Sequence, residues 1–161
     1  MKEKTVATQT WTKEDLARIG TTETPTDDGV FSLRTELLQQ GITTDTRART
    51  DNLRVTIKVY ADGGENLMHS HNAEDHAFVV LSGQATFRVH TEDNVKVLNK
   101  WEGIMLPKDT EYCFESTGPE GRLVMLRIGA TVPGITPVLK DLSFIPDRIP
   151  LEGKFFPDDC P

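Results

Sequence analysis

The chain has 161 residues, 37% of them apolar, and a net charge of -7, which suits one globular domain with its own core. An acidic balance without a basic block excludes a nucleic-acid surface, which needs clustered Lys and Arg to displace counterions. No apolar run reaches the roughly 18 residues of a membrane helix, and Met1-Lys2-Glu3-Lys4-Thr5 opens a polar stretch rather than a signal core, so no membrane partner and a cytoplasmic location are expected.

Residues 1–28 read as a polar arm with one short helix over Thr12–Ile19, capped by Thr12 and stopped at Gly20. Val30 to Leu38 offers a strand before Gln39-Gln40-Gly41 turns the chain. From Asn52 onward strand patterns recur at Leu53–Tyr60, Leu67–His71, His76–Leu81, Gln84–His90, Val95–Leu98, Gly103–Leu106, Glu111–Glu115 and Arg122–Ile128. Segments with turn chemistry separate them, among them Ala61-Asp62-Gly63-Gly64, Ser82-Gly83 and Pro107-Lys108-Asp109. Many short strands with regular turns predict an all-β, antiparallel sandwich or barrel over residues 29–131, with its core in 53–128. Residues 132–161 form a tail whose prolines, Pro133, Pro137, Pro146, Pro150, Pro157 and Pro161, argue against long regular elements, while its recurring apolar residues predict packing on the barrel. Cys113 and Cys160 make no disulfide framework and are expected as free thiols. Phe78 and Val80 share the parity of His76, whereas Ala77, Val79 and Leu81 take the opposite face. Both faces therefore need cover, the outer one from a second sheet, the terminal segments or another subunit, and a homodimer is the expected assembly.

Three of the four histidines, His69, His71 and His76, fall within eight positions. On a strand, side chains two apart point the same way at about 6 to 7 Å, so His69 and His71 can converge on one ion, each nitrogen about 2.0 to 2.1 Å from it. A turn over Asn72–Asp75 folds His76 back beside them. The expectation is a metal site of three neutral nitrogens.

These residues resemble the first motif of the cupin superfamily: glycine, five residues, His-x-His, three or four residues, an acidic ligand, six residues and glycine. Gly63, His69, His71 and Gly83 fit it, and the count back from Gly83 puts His76 at the acidic position. Asp75 or Glu74 as the anionic ligand, with His76 merely nearby, is the competing reading. The second motif is degenerate: Pro107 fits, Trp101 and Asp109 replace its glycines, Ser116 its asparagine, and Tyr112 stands where the last histidine belongs. The resemblance implies a jelly-roll β-barrel with a metal in its mouth, and many such proteins are dimers.

Three histidines without a carboxylate would leave a divalent ion at full charge and favour an anionic small-molecule substrate. Imidazole suits several metals; iron(II) is preferred, with zinc, nickel, manganese and copper compatible. Tyr112 is the candidate catalytic residue, as hydrogen-bond donor or acid, with metal ligation and a plain wall role as alternatives. By parity Phe78, Val80, Met105 and Phe114 line the pocket. Arg54 and Lys58 share one face of their strand, as do Arg88 and His90; alternating charges of this kind more often form a solvated outer face, but an inward turn would make an arginine a carboxylate clamp. Dioxygenase-like chemistry is favoured; a Lewis-acid isomerase, cyclase, dehydratase or lyase, or a non-catalytic small-molecule-binding protein, are the alternatives.

Overall fold

The computed structural model describes residues 29–62, 66–136 and, as backbone, 149–156. Among them are ten strands and no helix: β1 Thr35–Gln40, β2 Ile42–Arg49, β3 Leu53–Tyr60, β4 Glu74–Ser82, β5 Ala85–Val89, β6 Val95–Leu98, β7 Gly103–Leu106, β8 Tyr112–Ser116, β9 Leu123–Thr131 and β10 Ile149–Phe156. The all-β expectation therefore holds, and no described helix is long and apolar enough to cross a membrane. The predicted helix at Thr12–Ile19 and Cys160 lie outside the described residues.

An antiparallel five-stranded sheet, ordered β2-β3-β9-β4-β7, packs its inner face against the three-stranded sheet β6-β5-β8, while β1 pairs with β10. At the centre β3 and β9 pair without irregularity from Leu53↔Ala130 to Tyr60↔Leu123. Such a continuous ladder fixes which residues face inward, because a one-residue slip would turn every side chain over. Tyr60, Phe78, Val80, Phe87, Tyr112, Phe114, Leu123 and Met125 fill the space between the sheets.

The outer face is apolar too, and part of its cover comes from the chain itself. Ile57, Val59, Leu81 and Val124 are closed over by Leu38, with Leu33 and Leu37 alongside. At the far end of β4 the pairing with β9 shifts between Val80 and Ser82. Gly83 follows with φ of 83°, and a Cβ there would lie 2.1 Å from the Arg122 carbonyl oxygen, so both backbone sign and space require glycine.

Four strand expectations change, the first at Val30–Leu38, where the strand is Thr35–Gln40 and runs through the expected turn residues Gln39 and Gln40. The Thr-rich, polar β2 carries little apolar signal and gains its place by pairing with β3. Leu67–His71 is not a strand and contributes only an isolated bridge, His69↔Tyr112. The proline-rich tail does contain a regular element: β10 runs eight residues despite Pro150. Its partner β1 takes it up with register shifts on both sides of Leu38↔Pro150, at a sheet edge where a missing N–H is tolerated.

Candidate metal centre

β4 begins at Glu74, two residues before the expected start. Glu74, His76, Phe78 and Val80 therefore share one side of the strand, and the burial of His76, Phe78 and Val80 shows that this side is the inner one. His69 and His71 reach the same place from the arm that precedes β4. At the histidines three backbone bonds hold that arm: the His69 N–H donates to the Tyr112 carbonyl (3.0 Å), the Tyr112 N–H to the His69 carbonyl (2.9 Å), and the Asp109 N–H to the His71 carbonyl (2.8 Å); at its ends the Phe114 N–H donates to Asn66 Oδ1 and the Val132 N–H to the Ala73 carbonyl, both at 2.8 Å. Trp101 and Asp109, which stand at the glycine positions of the second motif, have φ of 71° and 65°. Both residues thus hold the left-handed backbone that glycine favours, at positions where the motif has glycine.

The rings converge as the spacing implied. His71 and His76 lie 4.4 Å apart between centroids, His69 and His71 5.2 Å, and His69 and Tyr112 4.6 Å. One donor atom from each of His71, Glu74 and His76 falls within 4.8 Å of the others. His69 adjoins this group without belonging to it at that spacing, and Glu74 enters beside His76 rather than instead of it. Asp75 is excluded as the anionic ligand: its carboxylate accepts the Lys108 N–H at 2.7 Å, and its parity on β4 is opposite to that of His76.

Glu74 is held on several sides. Its Oε2 accepts from Arg127 Nη2 at 2.6 Å and lies 3.0 Å from His76 Nε2, while Oε1 accepts from Arg54 Nη2. Arg127 Nη2 is also 2.6 Å from His76 Nε2. Gly129 sits in register between Arg54 and His76, and its missing side chain opens the floor on which these groups meet. A Cβ there would stand 3.4 Å from Glu74 Oε2, so a larger side chain would press on the carboxylate.

Burial, with neighbouring positive charge, pushes all three histidines below the ordinary imidazole range, His71 to about 3. The hydrogen bond to His76, then Arg127 and Arg54, draws the Glu74 carboxyl down to about 2. Burial raises the Tyr112 phenol well above its normal value. At neutral pH the cluster therefore holds neutral imidazoles, one carboxylate and a protonated phenol.

That donor set fits a divalent ion. His69 Nδ1 donates to the Leu67 carbonyl at 2.7 Å; a carbonyl only accepts, so the proton is on Nδ1 and the Nε2 lone pair is left for an ion. When His76 Nδ1 donates to Tyr112 Oη, 3.1 Å away, its Nε2 lone pair is likewise available. Such bonds on the far nitrogen orient metal-binding histidines. The 3.0 Å between His76 Nε2 and Glu74 Oε2 matches two ligands about 2.1 Å from one ion at a right angle. The Arg127 guanidinium touches these same two atoms, so an ion bound there has this side chain as its neighbour or its competitor.

The predicted wall is partly corrected. Phe78, Val80 and Phe114 are buried in the inner core, and the Phe78 ring lies 5.8 Å from both His76 and Tyr112. Met105 does not line the pocket: it is 68% exposed, because β7 pairs Met105 with the outward Ala77 and places Leu106 opposite His76. Cys113 alternates away from Tyr112 and Phe114 and pairs with Arg88. Arg88 is tied to Glu115 and Glu92 at the surface, and His90 is exposed, so that face is solvated. The face of β3 carrying Arg54 and Lys58 turns inward instead, with Thr56 and Tyr60 buried on the same parity. Sequence reasoning missed Arg127 altogether. Its signal was a lone cation between apolar residues of β9, on the parity of the buried Leu123 and Met125.

No protein-family model matches the chain, and no curated protein does. Solved structures do. A cupin superfamily protein from Desulfitobacterium hafniense superposes with a TM-score of 0.51 at 19% identity, covering 61% of this chain and 84% of that one. The cupin domain of Schizosaccharomyces pombe Cnp3 gives 0.51 at 16%, covering 58% and 67%. The iron(II) form of HppE gives 0.50 at 12%, covering 60% and 56%. With the His-x-His arm, the Gly83 turn and the left-handed positions at Trp101 and Asp109 already in place, these superpositions establish that the chain has the cupin fold.

Proposed function

We propose that this protein is a non-haem iron(II) enzyme acting on a small oxygenated organic acid, with His71, His76 and Glu74 as the metal ligands and His69 completing or flanking the set. The observation that carries this reading is the group of two imidazoles and one carboxylate with donor atoms within 4.8 Å of one another. Two histidines and one carboxylate with open positions are the ligand set of non-haem iron(II) oxygenases, and the iron(II) of the fold neighbour HppE is consistent with that choice. When bound, the ion would supply a Lewis-acidic centre with open positions for substrate and O2.

The chain's own residues supply the rest. Arg54 and Arg127 hold the Glu74 carboxylate in a fixed orientation. Tyr112, only 3% exposed and hydrogen-bonded to His76, keeps its proton and orients that imidazole. Phe78 and Phe114, buried in the inner core, give the site an apolar side.

One observation favours a second version without oxygen. When the His76 proton sits on Nε2 and that nitrogen holds no ion, Glu74, His76 and Tyr112 form a continuous chain from carboxylate through imidazole to phenol, an arrangement suited to moving a proton in an isomerase or dehydratase. The test is anaerobic reconstitution with iron(II) or zinc, followed by O2-uptake measurements with a panel of small carboxylic acids. Uptake with iron alone supports the oxygenase. Turnover that is equal with either metal and consumes no O2 replaces it with the proton-transfer version.

A further inference from the structure

We infer that the inner face of β3 and β9 is a carboxylate-binding wall, with Lys58 as the residue that contacts the substrate anion. The chain as a whole is acidic, at -7, yet three cations are gathered on this wall: Arg54 and Lys58 on β3 and Arg127 on β9. Register places them together. Arg54 pairs with Gly129, Thr56 with Arg127 and Lys58 with Met125, so the three side chains rise from one patch of one face.

Their counter-charge is incomplete. Among the described residues the carboxylate on this patch is Glu74, and it is bonded to Arg54 and Arg127. Lys58 has no carboxylate partner there; its Nζ donates to Tyr60 Oη at 2.9 Å and stands 5.4 Å from the centre of the Tyr60 ring. With neutral histidines the patch carries three positive charges against one negative, an excess of two when Lys58 is protonated. A wall that gathers cations and partly desolvates them carries a positive potential. Burial, reinforced by Arg127 and Arg54, brings the Lys58 ammonium down to about 7, and an anion bound beside it would favour the protonated form.

The wall also meets the histidines, since Arg127 Nη2 lies 2.6 Å from His76 Nε2 and Arg54 and His76 both pair with Gly129 across β9. An organic acid that brings one oxygen to the histidine cluster can therefore lay its carboxylate against Lys58, with Arg127 and Arg54 supporting the field. A carboxylate is the anion that suits this wall, because one ammonium and the outlying N–H groups of two already engaged guanidiniums offer a small number of donors. The inference deepens the proposed function and rests on it for where the reacting end of the substrate lies, but the anchoring itself requires no metal.

Calorimetric titration of chelator-stripped protein with malonate, and with malonamide as the uncharged counterpart, tests the wall separately from the metal reading. Wild type is expected to bind malonate saturably and malonamide not at all. Lys58→Met should weaken malonate at least tenfold, whereas Lys58→Arg, which keeps the charge, should stay within about threefold of wild type. Melting temperatures of both variants confirm that they are folded. Absence of malonate binding by wild type, equal affinity of Lys58→Met, or equal loss in Lys58→Arg and Lys58→Met would overturn the inference. Failure of iron loading in the same preparation would bear on the proposed function alone.

Discussion

Replacing Glu74 by glutamine keeps the shape of the side chain and removes the single negative charge that Arg54, Arg127 and His76 surround. The carboxyl is drawn from 4.5 to about 2, a difference of 2.5. At about 1.36 kcal/mol per unit, that is on the order of 3.4 kcal/mol of preferential interaction with the ionised form. The side chain is 18% exposed, so solvent screening removes only part of it. A second figure agrees: breaking a buried ion pair by deleting one partner costs about 3–5 kcal/mol, because the other charge stays behind, and here the Arg127 guanidinium, 11% exposed, stays behind. For a chain of this size each kcal/mol moves the melting temperature by about 2–4 °C, so Glu74→Gln should lower Tm by about 7–14 °C in calorimetry at pH 7.

The pH dependence has a fixed sign. A carboxyl with a depressed folded value contributes stability above its unfolded value and loses it as pH falls through the folded one. The gap between wild type and Glu74→Gln should therefore close between about pH 4.5 and pH 2. A loss below about 1 kcal/mol at pH 7, or a gap that does not narrow in acid, would mean that the Glu74 carboxylate is not held by these partners.

Other outcomes follow from the same geometry. His71→Ala and His76→Ala should each remove most of the bound metal from anaerobically purified protein, as read by elemental analysis; unchanged content in both would refute the ligand set. In chelator-treated protein, stability should fall as pH drops from about 6.5 toward 3, because the unfolded chain takes up protons there that the folded His71, at about 3, does not; His71→Asn should flatten that slope in melting curves. Gly83→Ala should lose more than about 2 kcal/mol in urea denaturation, since a left-handed backbone disfavours alanine by about 1–2 kcal/mol and its Cβ would also collide with the Arg122 carbonyl. Met105→Lys, on the exposed outer face, should change the stability of the isolated chain by less than about 0.5 kcal/mol; a drop in assembly size on gel filtration would place Met105 in the expected homodimer contact.

What the sequence disclosed tracks how local each signal was. Leu53–Tyr60, Val95–Leu98 and Gly103–Leu106 coincide with strands to the residue, because alternation and turn chemistry lie within a few positions. β2 was invisible because ITTDTRAR has no apolar stripe of its own and is held by its neighbour. The histidines were legible through spacing, but the charge around them was not. Glu74, Arg54 and Arg127 are 20 to 53 positions apart within their pairs, and only the β3-β9-β4 pairing brings them together. Arg54 and Lys58 looked like a solvated face because alternating charge usually is one; the inward turn is decided by the buried Thr56 and Tyr60 beside them. Met105 failed because parity was assigned to β7 without its register to β4.

The arm bearing His69 and His71 divides the centre into two mechanical halves. His76, Glu74, Arg54 and Arg127 are rooted in strands of the five-stranded sheet and can leave their places only if that sheet unzips. His69 and His71 are fastened by three backbone hydrogen bonds to Tyr112 and Asp109, a smaller hold than the continuous β3-β9 ladder, so opening locally at the arm costs less than opening the sheet. Amide exchange at His69 should therefore be faster than at Ile57 or Val124 in the ladder, and an ion gripped by both halves would slow it by binding shut what the fold alone leaves lightly fastened.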